Sequence, residues 1–290
     1  MFEYVDAHVH LWDLSLNSHG WLSDPDVLPS QEAYLGPYEA IKRDYVVADL
    51  MRDFTPLGLR KVVHVQADWD GDPVDETRWL QGLADDGGFP QAIVAFADLR
   101  GPAVASVLDR HLTYPNVRGI RMVGHYYGTD LLQDPAFLRG FEEVSRRGLT
   151  YDLCIDWEVV EGGLALARAY PETPMVLEHV GRPLERTAGC FRQWRRALAR
   201  LAQAPNVAVK VSGLGMGDHE WTADSIKPWV LEAIEIFGPD RSMFGSNWPV
   251  DSLYSDASRL IDAYREVVSA LSPVDQAAFF SRTAERIYRI

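Results

Sequence analysis

The chain has 290 residues, 47% of them hydrophobic, 11% aromatic and 24% charged, with a formal net charge of −14. That balance is ordinary for a globular enzyme. It repels phosphate backbones, which argues against nucleic acid as a partner, and no apolar run approaches the ~18 residues a membrane span requires. The two cysteines, Cys154 and Cys190, lack metal-type spacing and the N-terminus carries no basic-then-apolar leader, so a cytoplasmic protein is predicted.

The first strand is predicted over 3–10 and ends in Asp6-Ala7-His8-Val9-His10. Alternate residues of a strand share a face, so His8 and His10 should project together while Val9 points away. Such a pair can hold one metal ion or grip one polar reacting group; in isolation it reads more readily as two surface histidines in a turn. Some thirty residues then pass before the next helical pattern, near 46–54, and they carry Trp12, Trp21, Tyr34 and Tyr38. A stretch this aromatic needs a surface to pack on. It is expected to form a lid over about 11–45, or a packed excursion on the side of the domain.

Further strands are predicted at 61–67, 91–97, 117–122, 150–155, 174–179, 207–212 and 241–246, most of them rich in Val, Ile, Leu or Phe, as strands buried on both faces are. Helical patterns lie between them at 75–86, 102–112, 135–147, 158–170, 190–204 and 222–237, and two more follow at 256–271 and from Ser272-Pro273 onward. Eight alternating units predict an α/β fold, a (β/α)8 TIM barrel forming a single domain over 1–290, rather than an open doubly wound sheet.

A barrel builds its active site at the C-terminal ends of its strands. Polar residues collect at those ends: Arg121 followed by His125-Tyr126-Tyr127, Glu178-His179 followed by Arg182, Lys210 with Ser212, and Asn247-Trp248 followed by Asp251. Taken singly, His179 reads as a hydrogen-bonded core histidine, Arg121 as one half of an interior ion pair, Lys210 as the partner of a carboxylate such as Asp6, and His64 as structural. The Gly213–Gly217 run lacks the spacing of either nucleotide fingerprint.

Four segments taken in order carry more: Asp6-Ala7-His8-Val9-His10-Leu11-Trp12, Leu177-Glu178-His179-Val180-Gly181-Arg182-Pro183, Lys210-Val211-Ser212-Gly213-Leu214 and Phe244-Gly245-Ser246-Asn247-Trp248-Pro249-Val250. Together they resemble the motifs of the amidohydrolase superfamily, in the branch that contains sugar-acid lactonases and the 2-pyrone-4,6-dicarboxylate lactonase. The resemblance implies a hydrolase barrel with His8, His10 and His179 around the reacting carbonyl. It also implies a strand-eight aspartate as proton acceptor, where this chain has Asn247. An amide orients water but takes no proton at neutral pH. Three substitutes are expected to be open: Asp251, a divalent metal such as Zn²⁺ on His8, His10 and His179, or one of those histidines as base in a metal-free mechanism.

Under this reading the catalytic residues are His8, His10, His179, Asn247 and Asp251. Arg121, His125, Tyr126, Arg182, Trp12, Trp21 and Trp248 are candidates to bind a small lactone or carboxylate substrate. A metal-dependent decarboxylase of an aromatic acid, and a decayed barrel that binds a sugar acid, are the alternatives. A homo-oligomer is left open.

Overall fold

Eight short runs pair in parallel and in chain order: β1 (Tyr4–Val9), β2 (Leu59–Val65), β3 (Ala92–Phe96), β4 (Val117–Arg121), β5 (Thr150–Leu153), β6 (Met175–Leu177), β7 (Val207–Val211) and β8 (Ser242–Phe244). The structure is a computed structural model and describes residues 2–27, 32 and 34–290. The sheet closes where the chain leaves β8. There the His10 amide donates to the Trp248 carbonyl at 2.7 Å and the Asn247 amide to the His8 carbonyl at 2.8 Å. The fold is a single-domain (β/α)8 barrel, as predicted.

Eight helices alternate with the strands: α1 (Val47–Phe54), α2 (Pro73–Gly87), α3 (Val104–His111), α4 (Pro135–Arg146), α5 (Val160–Ala169), α6 (Ala188–Leu201), α7 (Ala223–Phe237) and α8 (Ala257–Val267). Several start where side-chain chemistry says they should. Asp72 and Asp134 cap α2 and α4 with proline at the first helical position, and Thr187 and Thr222 cap α6 and α7. Ser272 caps the final helical segment, as its sequence predicts. That segment ends in Thr283–Tyr288, whose Ala284, Ile287 and Tyr288 plug the N-terminal mouth of the barrel against Val5, Ala7, Val63 and Val176. No helix among the described residues is long and apolar enough to cross a membrane.

Two irregularities position the site. Val5 and Ala7 pack in the inner cluster, but Val9 and Leu11 pack in the outer layer between sheet and helices. The parity therefore switches between Ala7 and Val9, where β1 also shifts register against β2. The switch leaves His8 and His10 together on the inner face of the barrel, with their Nε2 atoms 3.1 Å apart. Strand β6 stops at Leu177, two residues short of the predicted end, because His179, Val180, Gly181 and Arg182 all adopt left-handed backbone (φ 51°, 48°, 73° and 54°). Each non-glycine residue there costs on the order of 1–2 kcal/mol. The turn breaks the alternation that would have sent Glu178 and His179 to opposite faces.

The segment expected to be a lid includes residues 28–31 and 33, which lie outside the described residues. Its described part is tied down at both ends. Trp12 and Tyr45 exchange backbone hydrogen bonds at 2.9 Å, and the Trp21 indole donates to the Ala67 carbonyl at 2.9 Å.

Candidate active site

A cavity opens at the C-terminal end of the barrel, with His10, His179 and Asn247 in its wall. His8 lies beneath them without exposed surface. The His8 and His179 rings stand 4.5 Å apart between centroids, and His8 and His10 4.9 Å apart. Imidazoles separated by some 170 residues of sequence thus meet over one hollow.

Hydrogen bonds set how each ring presents itself. His10 donates from Nδ1 to the Val65 carbonyl at 2.7 Å, which leaves its Nε2 as a lone pair facing Nε2 of His8 at 3.1 Å. His179 Nδ1 meets the Ser212 hydroxyl at 2.9 Å. His8 Nδ1 faces Glu178 Oε1 at 3.3 Å and Lys210 Nζ at 3.5 Å. Burial holds His8 and His10 well below the ordinary histidine pKa, with the Lys210 and Arg121 charges acting in the same direction, and burial drives His179 down to about 3. All three rings are therefore neutral, the form that ligates metal.

Two tautomer sets satisfy this geometry. In one, His8 donates from Nδ1 to Glu178, and the two facing Nε2 lone pairs require a cation between them. In the other, Lys210 donates to His8 Nδ1, and His8 donates from Nε2 to His10, a chain that needs no metal. The shorter contact is to Glu178 Oε1, a buried oxygen that also stands 3.7 Å from Lys210 Nζ. The donor atoms that gather within 4.8 Å of one another belong to His8, Glu178 and His179. The arrangement thus fits a divalent metal, with Glu178 brought in beside the expected histidines and His10 joined through His8. Two glycines make room for the rings. A Cβ on Gly213 would fall 2.6 Å from His179 Nδ1, and one on Gly245 would fall 2.8 Å from His8 Cβ.

Beneath the rings lies a buried ionic network. Lys210 pairs with Asp152, not with Asp6, because β5 and β7 bring these two side chains together inside the barrel. Tyr288 donates to the same carboxylate at 2.9 Å, and Glu178 stands 3.7 Å from Lys210 and 3.3 Å from Arg121. Burial alone would raise Glu178, but Arg121 and Lys210 outweigh it and hold the carboxyl at about 2. Asp6 instead uses Oδ1 to accept the backbone amides of His8 (3.1 Å) and Ser246 (2.9 Å), pinning β1 to the exit of β8. His64 is structural as read: it bonds Glu76 and accepts the Leu11 amide.

Asn247 occupies a left-handed position (φ 57°), which asparagine tolerates, and donates from Nδ2 to Asp251 Oδ1 at 2.9 Å. Asp251, expected as one candidate to reach into the cavity, does not line it. It is buried behind the amide and outside the cavity wall, where burial raises it to about 7 against the Asn247 hydrogen bond.

Arg121, His125, Tyr126, Arg182 and Trp21 line the cavity, and Tyr34 joins them from the long N-terminal segment. Arg121 binds both Glu178 and the Gln66 carbonyl, so the ion-pair and cavity-wall readings are both met. Arg182 stacks over Tyr34 at 4.8 Å and contacts His125, and each arginine keeps a buried Nε–H without a partner among the described residues. Trp12 and Trp248, also expected at the cavity, pack elsewhere. Trp12 is a core wedge donating to the Arg43 carbonyl, and Trp248 turns outward onto Phe54 at 5.2 Å, so neither lines the cavity. Cys154 and Met216 do line it, although neither belongs to a motif that marks it in the sequence.

The chain belongs to the amidohydrolase family, whose model matches residues 5–290. It is 42% identical over 296 residues to an uncharacterised protein of Sinorhizobium fredii, covering 99% of this chain and 98% of that one. It is 27% identical over 298 residues to an L-fucono-1,5-lactonase of Burkholderia ambifaria, covering 99% and 95%. A crystal structure of an amidohydrolase from Burkholderia multivorans with bound zinc superposes with a TM-score of 0.84 at 26% identity, over the whole of both chains.

Proposed function

We propose that this amidohydrolase opens a small sugar-acid or aromatic-degradation lactone: water adds to the ring carbonyl, the acyl–oxygen bond breaks, and the ring oxygen leaves as the hydroxyl of a hydroxy acid. The observation that carries the reading is the convergence of three neutral imidazoles with a buried arginine at the floor of one cavity. The full-length similarity to a lactonase supports it.

His8, His179 and Glu178, with His10 beside them, are the residues that would hold a divalent cation such as Zn²⁺. Bound there, it would polarise the carbonyl and lower the pKa of water to about 7. The protein's own groups supply orientation. Asp251 takes the Nδ2–H of Asn247, which leaves the amide oxygen as an acceptor for the hydrogen of water or of a substrate hydroxyl. Arg121 and Arg182 place their guanidinium charges in the cavity wall, where they would meet the carbonyl or a substrate carboxylate, and Trp21 with Tyr34 closes the mouth as a lid.

Screening metal-replete protein against aldonolactones, muconolactones and pyrone lactones by acid release tests the assignment. Hydrolysis of at least one, lost in His179→Asn, is expected; protein that carries its metal and opens none of them contradicts it.

A further inference from the structure

A second hollow adjoins the first, about 1140 Å³ of open space between residues 20–27, the exit of β2 and the exit of β4. Trp21, Asp68, Val123 and Tyr126 belong to the walls of both, so the two hollows lie side by side. Their chemistry differs. The first carries Arg121, Arg182 and the histidines. The described wall of the second carries Trp69, Tyr127 and three carboxylates (Asp24, Asp68 and Asp70), with no lysine, arginine or histidine.

The aromatic rings are held by their neighbours. Trp69 meets His19 edge-on at 5.6 Å and leans on Trp79 at 6.1 Å. Arg100 sits 5.9 Å over the Tyr127 ring and is anchored by Asp134 at 2.9 Å. The carboxylates are fixed as well. Asp70 accepts the Ser18 hydroxyl and the Gly20 amide, Asp24 accepts the Asp26 amide, and Asp68 Oδ2 accepts the Tyr126 hydroxyl at 3.5 Å. Burial pushes the Asp68 carboxyl up, toward its neutral form. Fixed aromatic faces beside fixed acceptors suit a ring with apolar C–H faces and a rim of hydroxyls. An anionic group would be repelled.

We propose that this second hollow is a glycosyl subsite: it takes a sugar ring attached to the lactone being opened, so that the substrate is the aldonolactone of a disaccharide or longer chain. The proposal rests on the lactonase reading for its reacting end. Contact with the remote ring lowers KM where it acts equally on ground and transition states, and raises kcat where it fixes the carbonyl over the histidines.

The test compares glucono-1,5-lactone with cellobionolactone and maltobionolactone, which present the same reacting ring. The wild type is expected to favour at least one disaccharide lactone by about tenfold or more in kcat/KM. Trp69→Ala, or Tyr127→Ala at a more exposed ring should Trp69→Ala not fold, is expected to remove that advantage and leave turnover of gluconolactone within twofold. Disaccharide lactones no better than gluconolactone, or an advantage surviving the variants, overturns the proposal. If none of these lactones is hydrolysed, the lactonase reading is what fails, and titration of tryptophan fluorescence with methyl β-cellobioside and methyl β-maltoside decides the subsite. Saturable binding lost in Trp69→Ala supports it. Absence of binding, or binding of choline instead, overturns it.

Discussion

Replacing Asn247 by aspartate puts the unusual strand-eight residue to a quantitative test. In the wild type the amide Nδ2–H donates to Asp251 Oδ1 at 2.9 Å, and both side chains are buried. Asn247→Asp sets two carboxyls at that separation. Held ionised together they would repel by about 6 kcal/mol at an effective dielectric of ~20. The folded chain avoids this by keeping one proton that the unfolded chain has lost. Folded protein then binds more protons than unfolded protein, so stability falls as pH rises, by about 1.4 kcal/mol per pH unit up to that ceiling.

Wild-type Asp251, raised from 3.8 to about 7, produces the same slope only between pH 4 and 7, and its contribution is flat above. The diagnostic window is therefore pH 7–9, where the variant should lose about 3 kcal/mol more than the wild type, read from urea midpoints. The exchanged pair, Asn247→Asp with Asp251→Asn, restores a donor facing a carboxylate and should abolish the extra slope. If Asn247→Asp follows the wild-type curve above pH 7, the amide–carboxylate contact does not organise this part of the site.

Removing the His179 imidazole by His179→Asn should lower lactone turnover by about 10²–10⁴-fold with an unchanged circular dichroism spectrum; a loss under tenfold would remove that ring from the chemistry. Dialysis against a chelator, followed by elemental analysis, is expected to strip one divalent ion per chain and abolish turnover, with Zn²⁺ restoring it. Full activity in metal-free protein would instead support the hydrogen-bonded chain from Lys210 through His8 to His10. Lys210→Met leaves the Asp152 and Glu178 carboxylates buried without their shared cation and should cost about 3–5 kcal/mol in urea unfolding. A cost below 1 kcal/mol would mean that one of them simply takes up a proton.

The sequence by itself determined the barrel and the address of its site. Eight β-branched and aliphatic runs alternating with capped amphipathic segments leave a closed parallel sheet as the economical way to bury both faces, and the strand ends then name His8, His10, Arg121, His179 and Asn247. Periodicity carries that information because it is local.

What the tertiary structure alone decided depends on backbone departures and on which strands neighbour one another. The left-handed turn at His179 brings Glu178 to the same side as its neighbour, and the β5–β7 proximity gives Lys210 to Asp152 rather than to Asp6. The left-handed residue at Asn247 sets Asp251 behind the amide, where four residues of sequence spacing had left it free to reach the cavity. Trp12 and Trp248 show the same limit from the other side: an aromatic residue next to a motif packs wherever the nearest unfilled surface lies, and here that is the core. Two-residue alternation tells which face a regular strand residue takes; it loses that power at the strand exits, where the backbone turns and where an enzyme barrel keeps its chemistry.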